Sequence, residues 1–157
     1  MPELSDAAQR DVVLVVDDAP ETLSLLTDAL EAGGMTVLVA TDGATALQRV
    51  SRIIPDVILL DAVMPGMDGF ETCAALRAQP PLAQVPIIFM TGLADTEHVV
   101  RGFDSGGVDY VTKPIDPDVL IARLRTHLAN ARRMSSARAA LDAAGRALLS
   151  ATPDGRV

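Results

Sequence analysis

One stretch of the chain, residues 56–69, limits its possible folds more than any other. Residues 57–60 are four consecutive apolar side chains, and so short a run is typical of a strand covered on both faces in a parallel sheet. The run stops at Asp61, after which Pro65 and Gly66 supply the fixed and the permissive backbone angles of a turn. Ligands of open α/β sheets bind beyond the carboxyl ends of the strands, where we expect Asp61 to lie.

A second apolar run within residues 11–18 ends in two adjacent carboxylates, Asp17 and Asp18. Five such strand patterns alternate with five helix patterns, which predicts an α/β fold built on a doubly wound parallel sheet. Two common strand orders fit this pattern equally well and stay open at this point. The strands are predicted at 11–18, 35–40, 57–60, 85–90 and 108–111, and the helices begin near residues 20, 41, 67, 96 and 116.

Composition narrows the class of protein. The 157 residues suit one domain with a short appendage, and no apolar run approaches the roughly 18 residues that a membrane helix needs. The N-terminus lacks the pattern of a signal peptide, so we expect a cytoplasmic protein. Cys73 is the only cysteine, which excludes an intramolecular disulfide and a cysteine-based metal site.

Charge is distributed unevenly along the chain. Residues 1–118 carry 19 acidic and 6 basic side chains, whereas residues 119–157 carry seven arginines and two aspartates. The net charges of the two parts are therefore −13 and +5, and together they give the −8 of the whole chain. The net negative charge of residues 1–118 argues against direct nucleic-acid binding by that part of the chain.

Polar side chains follow four of the predicted strands and should converge on one edge of the sheet. They are Asp17 and Asp18, Asp61, Thr91, and Lys113. Carboxylates brought so close repel one another, and their oxygens suit Mg²⁺, which binds few protein ligands and leaves room for substrate oxygens. A metal, an ammonium and a hydroxyl around one Asp are what phosphoryl transfer to that Asp requires.

A purely structural role remains open for each of these residues. Asp17, Asp18 or Thr91 could cap a helix, and Lys113 could be a solvated amine. Lys113 is, however, the only lysine beside twelve arginines, which indicates a role that a planar guanidinium would fill badly.

With this order and spacing, residues 12–128 resemble the receiver domain of bacterial two-component response regulators. The resemblance is carried by Asp17-Asp18, Asp61 with the Met-Pro-Gly-Met-Asp-Gly of residues 64–69, Thr91, and Lys113-Pro114. It implies a flavodoxin-like sheet of order 2-1-3-4-5. It also implies that Asp61 accepts a phosphoryl group from a histidine kinase or phosphotransfer protein, and that the Lys113–Pro114 peptide is cis. The chain would then be a phosphoacceptor rather than an enzyme acting on a separate substrate.

The resemblance further assigns a role to each site residue. Asp17, Asp18, Asp61 and the backbone carbonyl of Val63 would hold Mg²⁺, and Thr91 and Lys113 would contact the phosphoryl group. Thr91 and the aromatic Tyr110 would move on phosphorylation and alter the surface formed by helix 4, strand 5 and helix 5, roughly residues 95–128. A homodimer through that surface or through the C-terminal helix is the expected assembly.

Two apolar side chains flank the path along which water would attack the phosphorylated Asp. They are Val63 and Leu93, each two residues beyond a site residue. Polar side chains at these places can assist hydrolysis in relatives. We therefore expect slow loss of the phosphoryl group, which suits a sustained output such as transcription.

The chain continues past the receiver. We divide it into a receiver domain at 1–128, a helical extension or coiled-coil connector at 129–150, and the start of a downstream segment, cut short, at 151–157. Leu124, Leu128 and Ala131 show one a/d spacing, and a second follows after a phase slip. The alternative to a coiled-coil connector is a long helix that folds back on its own domain or frays. The second spacing comprises Ala137, Leu141, Ala144 and Leu148.

Three classes of function fit the sequence to different degrees. A receiver that regulates a downstream module, transcriptional by expectation, fits best, and a stand-alone adaptor acting through protein contacts is the alternative. A phosphatase with an aspartyl nucleophile ranks last, because residues 61–63 lack the Asp-x-Asp pattern. A catalytic histidine is not expected, since His98 and His127 fall on predicted helices away from the crevice.

Overall fold

A computed structural model of the chain describes residues 10–92 and 96–151, with side chains described as far as residue 145 except that of Thr96. The strands are β1 (Val12–Val16), β2 (Thr36–Ala40), β3 (Val57–Asp61), β4 (Ile87–Thr91) and β5 (Asp109–Thr112). The helices are α1 (Pro20–Ala32), α2 (Gly43–Val50), α3 (Gly69–Arg77), α4 (Thr96–Asp104) and α5 (Pro117–Ala151), and a short 3₁₀ turn spans Pro80–Leu82.

All neighbouring strands of the sheet are parallel, and their order is β2-β1-β3-β4-β5. This confirms the predicted flavodoxin-like sheet and the extended C-terminal helix. Predicted strand ends differ from the observed ones by at most two residues; the fourth strand, for example, begins at Ile87 instead of Val85. The difference follows from Pro86, which has no N–H to donate to a neighbouring strand.

Alternate residues of each inner strand point into two separate hydrophobic layers. In β1, Leu14 and Val16 pack on one side of the sheet and Val13 and Val15 on the other, and all four are fully buried. Because both faces are covered by helices, an inner strand needs apolar side chains at every position. The continuous apolar runs of the sequence have this origin.

The long helix α5 is packed against the domain only over its first part. Leu120, Leu124 and Leu128 are buried in the core, so the predicted coiled-coil spacing at Leu124 and Leu128 is wrong. The reason is that this apolar stripe covers the sheet. Residues 132–145 are exposed on a continuous helix, which also rules out folding back over the described part of the extension.

An ion-pair cluster fixes the first part of α5 to β5. Asp109 Oδ2 lies 2.9 Å from Arg123 Nη1 and 3.0 Å from His127 Nε2. Burial raises the pKa of Asp109, but hydrogen bonds from His127, from the Tyr110 N–H and from Arg123 outweigh it and hold that pKa below its ordinary value. The charged form of Asp109 therefore stabilises the folded chain.

Among the described residues, no helix combines the length and apolar character that a membrane crossing requires. The expected segment at 151–157 lies outside the described residues apart from Ala151, the last residue of α5.

Candidate functional site

Three carboxylates meet at the carboxyl edge of the sheet, where β1 and β3 end side by side. Oxygens of Asp17, Asp18 and Asp61 all lie within 4.8 Å of one another. Asp17 is fully buried and Asp61 is 4% exposed, whereas Asp18 is exposed to solvent. The predicted convergence of these residues is therefore present in the structure.

Lys113 reaches this cluster from the loop that follows β5. Its ammonium nitrogen lies 2.9 Å from Asp17 Oδ2 and 3.3 Å from Asp61 Oδ2. The Lys113–Pro114 peptide is cis, as the resemblance implied. Burial lowers the pKa of Lys113, but the hydrogen bond to Asp17 and the charges of Asp61 and Asp17 have the larger, opposite effect and raise that pKa above its ordinary value. The side chain is therefore cationic at neutral pH.

The charges of the cluster do not balance. Burial and the neighbouring charge of Asp17 raise the pKa of Asp61, against the opposing hydrogen bond from the Val63 N–H and the charge of Lys113. Three carboxylates face one ammonium here, which leaves an excess of two negative charges. A small divalent cation with oxygen ligands fits this donor set, and Mg²⁺ is the hard cation that binds in this way.

The helix-cap alternative for Asp17 and Asp18 is wrong. The residue at the start of α1 is Ala19, and no side chain caps the helix. Asp17 Oδ1 instead accepts a hydrogen bond from the Ala19 N–H at 2.8 Å. Asp17 thereby turns the chain out of β1 and presents its second oxygen to Lys113.

Thr91 and Tyr110 lie on neighbouring strands behind the cluster. Thr91 is the last residue of β4 and is 5% exposed, and Tyr110 is half-buried with its ring edge-on to Phe103. Both line a narrow cavity beneath α4, and His98 lines it too. His98 lies on a helix, as predicted, and its expected place away from the carboxylate crevice is not contradicted, because neither the three carboxylates of the cluster nor Lys113 line this cavity.

Val63 extends into solvent from the loop after β3. Its N–H donates to Asp61 Oδ1 at 3.2 Å and orients that carboxylate, while its side chain is 58% exposed. The slow loss of the phosphoryl group expected from this apolar side chain stays a prediction. Leu93, the other predicted flanking residue, lies outside the described residues.

Two residues of the motif at 64–69 support the site in ways that sequence reasoning did not assign. A side chain on Gly69 would place its Cβ 2.1 Å from the carbonyl oxygen of Asp61, so only glycine allows α3 to begin there. Asp68 caps α3 by accepting from the Glu71 N–H at 2.8 Å, and its other oxygen pairs with Arg101 at 3.3 Å. The Asp-Gly pair before a helix was the available signal, whereas the Arg101 contact is tertiary.

Comparison with known proteins agrees with this geometry. The family model of the response regulator receiver domain matches residues 13–125. The DNA-binding response regulator MtrA of Mycolicibacterium smegmatis is 44% identical over 119 residues, which cover 76% of this chain and 51% of MtrA. Response regulator PleD of Caulobacter vibrioides is 43% identical over 114 residues, which cover 73% of this chain and 25% of PleD.

Solved structures show the same relationship. The BeF₃-activated N-terminal receiver domain of Klebsiella pneumoniae RstA superposes with a TM-score of 0.70 at 36% identity, over 75% of this chain and 98% of that domain. The chain thus spans about half the length of MtrA and a quarter of PleD, but nearly all of a receiver domain. This chain therefore belongs to the family of response regulator receiver domains.

Proposed function

We propose that the chain is a phosphorylatable switch in which Asp61 accepts a phosphoryl group from a histidine kinase or phosphotransfer protein. The observation that carries this proposal is the cluster of Asp17, Asp18 and Asp61 with Lys113 reaching across the sheet to Asp61. An excess of carboxylates of which two are buried lowers stability and is retained where function requires it. Asp17, Asp18, Asp61 and the backbone carbonyl of Val63 would hold Mg²⁺.

The phosphoryl transfer is a single displacement at phosphorus. An Asp61 carboxylate oxygen forms a bond to phosphorus as the bond from phosphorus to the donor imidazole nitrogen breaks, and that nitrogen keeps the electron pair. Mg²⁺, when held by these residues, would supply positive charge to the phosphoryl oxygens. Lys113 supplies a second positive charge from its position 3.3 Å from Asp61, and Thr91 supplies a hydroxyl donor.

The chain's own role in this chemistry is to be modified. It is a phosphoacceptor with Mg²⁺-dependent self-phosphorylation and dephosphorylation, and no enzyme acting on a separate substrate. Thr91 and Tyr110 would respond to the modification, because they line one cavity beneath α4 and are placed to shift together. The surface that changes is α4, β5 and the first part of α5.

The proposed output is a downstream module, and the identity to MtrA, which is named a DNA-binding response regulator, supports a transcriptional one. The exposed extension of α5 is the element placed to carry the signal. Four side chains of α5 lie near one face of the helix, because they are separated by 4, 11 and 7 residues, which is close to whole numbers of helical turns. They are Val119, Arg123, Met134 and Leu141. One face of α5 therefore runs from β5 into the extension.

That face is the proposed contact between two copies of the chain. Met134 and Leu141 are 61% and 74% exposed, and with Ala137 and Ala144 they continue a heptad spacing along the described part of the extension. The side chain of Leu148, which the sequence places next on this face, lies outside the described side chains. A parallel pair of α5 helices would join two receivers to one output.

Sedimentation of the chain with Mg²⁺, before and after addition of acetyl phosphate or beryllofluoride, tests the proposal. We expect a shift from monomer to dimer that is absent in Asp61→Ala. A dimer in every condition would refute phosphorylation-controlled assembly and leave the α5 extension as a constitutive contact. The absence of any modification of Asp61 would refute the proposed function itself.

A further inference from the structure

We infer that Arg101 is a positioning residue that couples the loop after Asp61 to α4 and so biases the equilibrium between the unmodified and the phosphorylated arrangement. The inference rests on the proposed function, because it concerns how the modification of Asp61 reaches α4. It assigns this role to a side chain that contacts neither the carboxylate cluster nor Lys113.

Arg101 makes two contacts with the start of α3. Its Nη2 lies 3.3 Å from Asp68 Oδ2, and its guanidinium carbon lies 4.5 Å from the centre of the Phe70 ring. The other oxygen of Asp68 caps α3 through the Glu71 N–H at 2.8 Å. A single carboxylate thus joins the first turn of α3 to the middle of α4.

The start of α3 is in turn fixed to the backbone of the phosphoacceptor. The Gly69 N–H donates to the carbonyl of Ala62 at 3.1 Å, and Gly69 packs directly against the carbonyl of Asp61. Ala62 itself donates to the carbonyl of Met90 in β4. A change in the backbone at Asp61 therefore displaces the cap of α3 and, with it, the carboxylate that holds Arg101.

The C-terminal end of α4 is held more firmly than the part of the helix that carries Arg101. Beyond its C-terminal end, Arg77 donates to the carbonyl of Gly106 at 2.7 Å and the Cys73 thiol donates to the carbonyl of Ser105 at 3.3 Å. Both bonds are partly buried, whereas the side chains of Arg101 and Asp68 are 54% and 28% exposed. The Arg101 contact is thus the weaker attachment, and the cavity lined by Thr91 lies beneath this part of the helix.

The sign of the bias follows from the state of Asp61. The structure contains Asp61 as a free carboxylate paired with Lys113, so the Arg101–Asp68 contact belongs to the unmodified arrangement. On this inference the contact is lost when phosphorylation displaces the loop after Asp61. Removing a contact from one arrangement shifts the equilibrium toward the other, and a ligand of that other arrangement then binds more tightly. An exposed ion pair and a cation–π contact together account for a shift of about twofold to fivefold.

Tyr110 provides the measurement, because the chain contains one tyrosine and no tryptophan. We would titrate beryllofluoride in the presence of Mg²⁺ and follow Tyr110 fluorescence. In Arg101→Ala the half-saturating concentration should fall about twofold to fivefold. Asp68→Asn retains a capping side chain and removes the charge, so it should give a shift in the same direction.

The double variant and a matched control separate coupling from general damage. Arg101→Ala combined with Asp68→Asn should shift the titration no further than the larger single change, because both variants remove the same contact. Arg52→Ala, which removes an exposed arginine beyond the end of α2, should leave the titration unchanged. A variant that merely unfolds the domain would weaken beryllofluoride binding rather than tighten it.

Three results would overturn the inference. The first is an unchanged or weaker titration in Arg101→Ala when the unsubstituted chain responds normally. The second is a double variant whose shift equals the product of the two single shifts, since the residues would then act independently. The third is the absence of any response in the unsubstituted chain, which would overturn the proposed function together with this inference.

Discussion

Replacing Gly69 by alanine should damage both the fold and the site, because the added methyl group has no room. Its Cβ would lie 2.1 Å from the carbonyl oxygen of Asp61 and 2.7 Å from the Cα of Ala62. Both neighbours are backbone atoms of the loop that carries the phosphoacceptor, so the clash cannot be relieved by rotating a side chain. Overpacking of this kind costs about 1–3 kcal/mol, and we expect the upper part of that range.

Urea unfolding followed by circular dichroism measures this loss as a change in the free energy of unfolding. Gly145→Ala is the matched control, because a Cβ there meets no atom within 4 Å on the exposed α5 extension. That substitution should leave the stability of the domain unchanged or raise it slightly, since alanine favours a helix by about 1 kcal/mol relative to glycine. A loss below about 0.5 kcal/mol in Gly69→Ala would refute the reasoning, because an ordinary surface substitution gives as much.

Three further predictions follow from side chains outside the site. The pKa of Asp109 is depressed in the folded chain, so the contribution of this carboxylate to stability is complete at neutral pH and is lost as the pH falls below about 4. The unfolding temperature of Asp109→Asn should therefore change less with pH below about 4 than that of the unsubstituted chain, and an equal dependence on pH in both proteins would refute this. Arg77→Met should lower the free energy of unfolding by about 1–3 kcal/mol, because it removes the half-buried donor for the carbonyls of Leu82, Val85 and Gly106, and a loss under about 0.5 kcal/mol would contradict this role. In a parallel pair of α5 helices Arg133 faces Arg138 of the second copy, so Arg133→Glu should lower the dimer dissociation constant, and a higher or unchanged constant would exclude that pairing.

The sheet and its acidic edge could be predicted from the sequence because each depends on local pattern. An inner parallel strand needs an unbroken apolar run, so the place where the run ends marks the edge, and Asp17 and Asp61 followed from that rule. The cis peptide before Pro114 and the strand order came from the resemblance, since residue patterns alone do not distinguish them. The spacing of the motifs shared with the family therefore predicted the cis peptide and the strand order, which hydrophobic periodicity did not.

Other features depend on contacts between distant parts of the chain and could not be predicted. Leu124 and Leu128 have a spacing that fits a coiled coil and a core-facing helix equally well, and only the position of α5 against the sheet distinguishes the two. The cavity that His98 shares with Thr91 and Tyr110 could not be predicted, because the packing of α4 on the sheet has no local signature. The pairing of Arg101 with Asp68 spans 33 residues and has none either.

Locating the phosphoryl group tests the central claim most directly. We would incubate the chain with acetyl phosphate and Mg²⁺, reduce any acyl phosphate with borohydride, and map the reduced residue by peptide mass. The account predicts one modified residue, Asp61, with no modification in Asp61→Ala or after removal of Mg²⁺. Modification of a different residue, or an Asp61→Ala chain that is still modified, would contradict it.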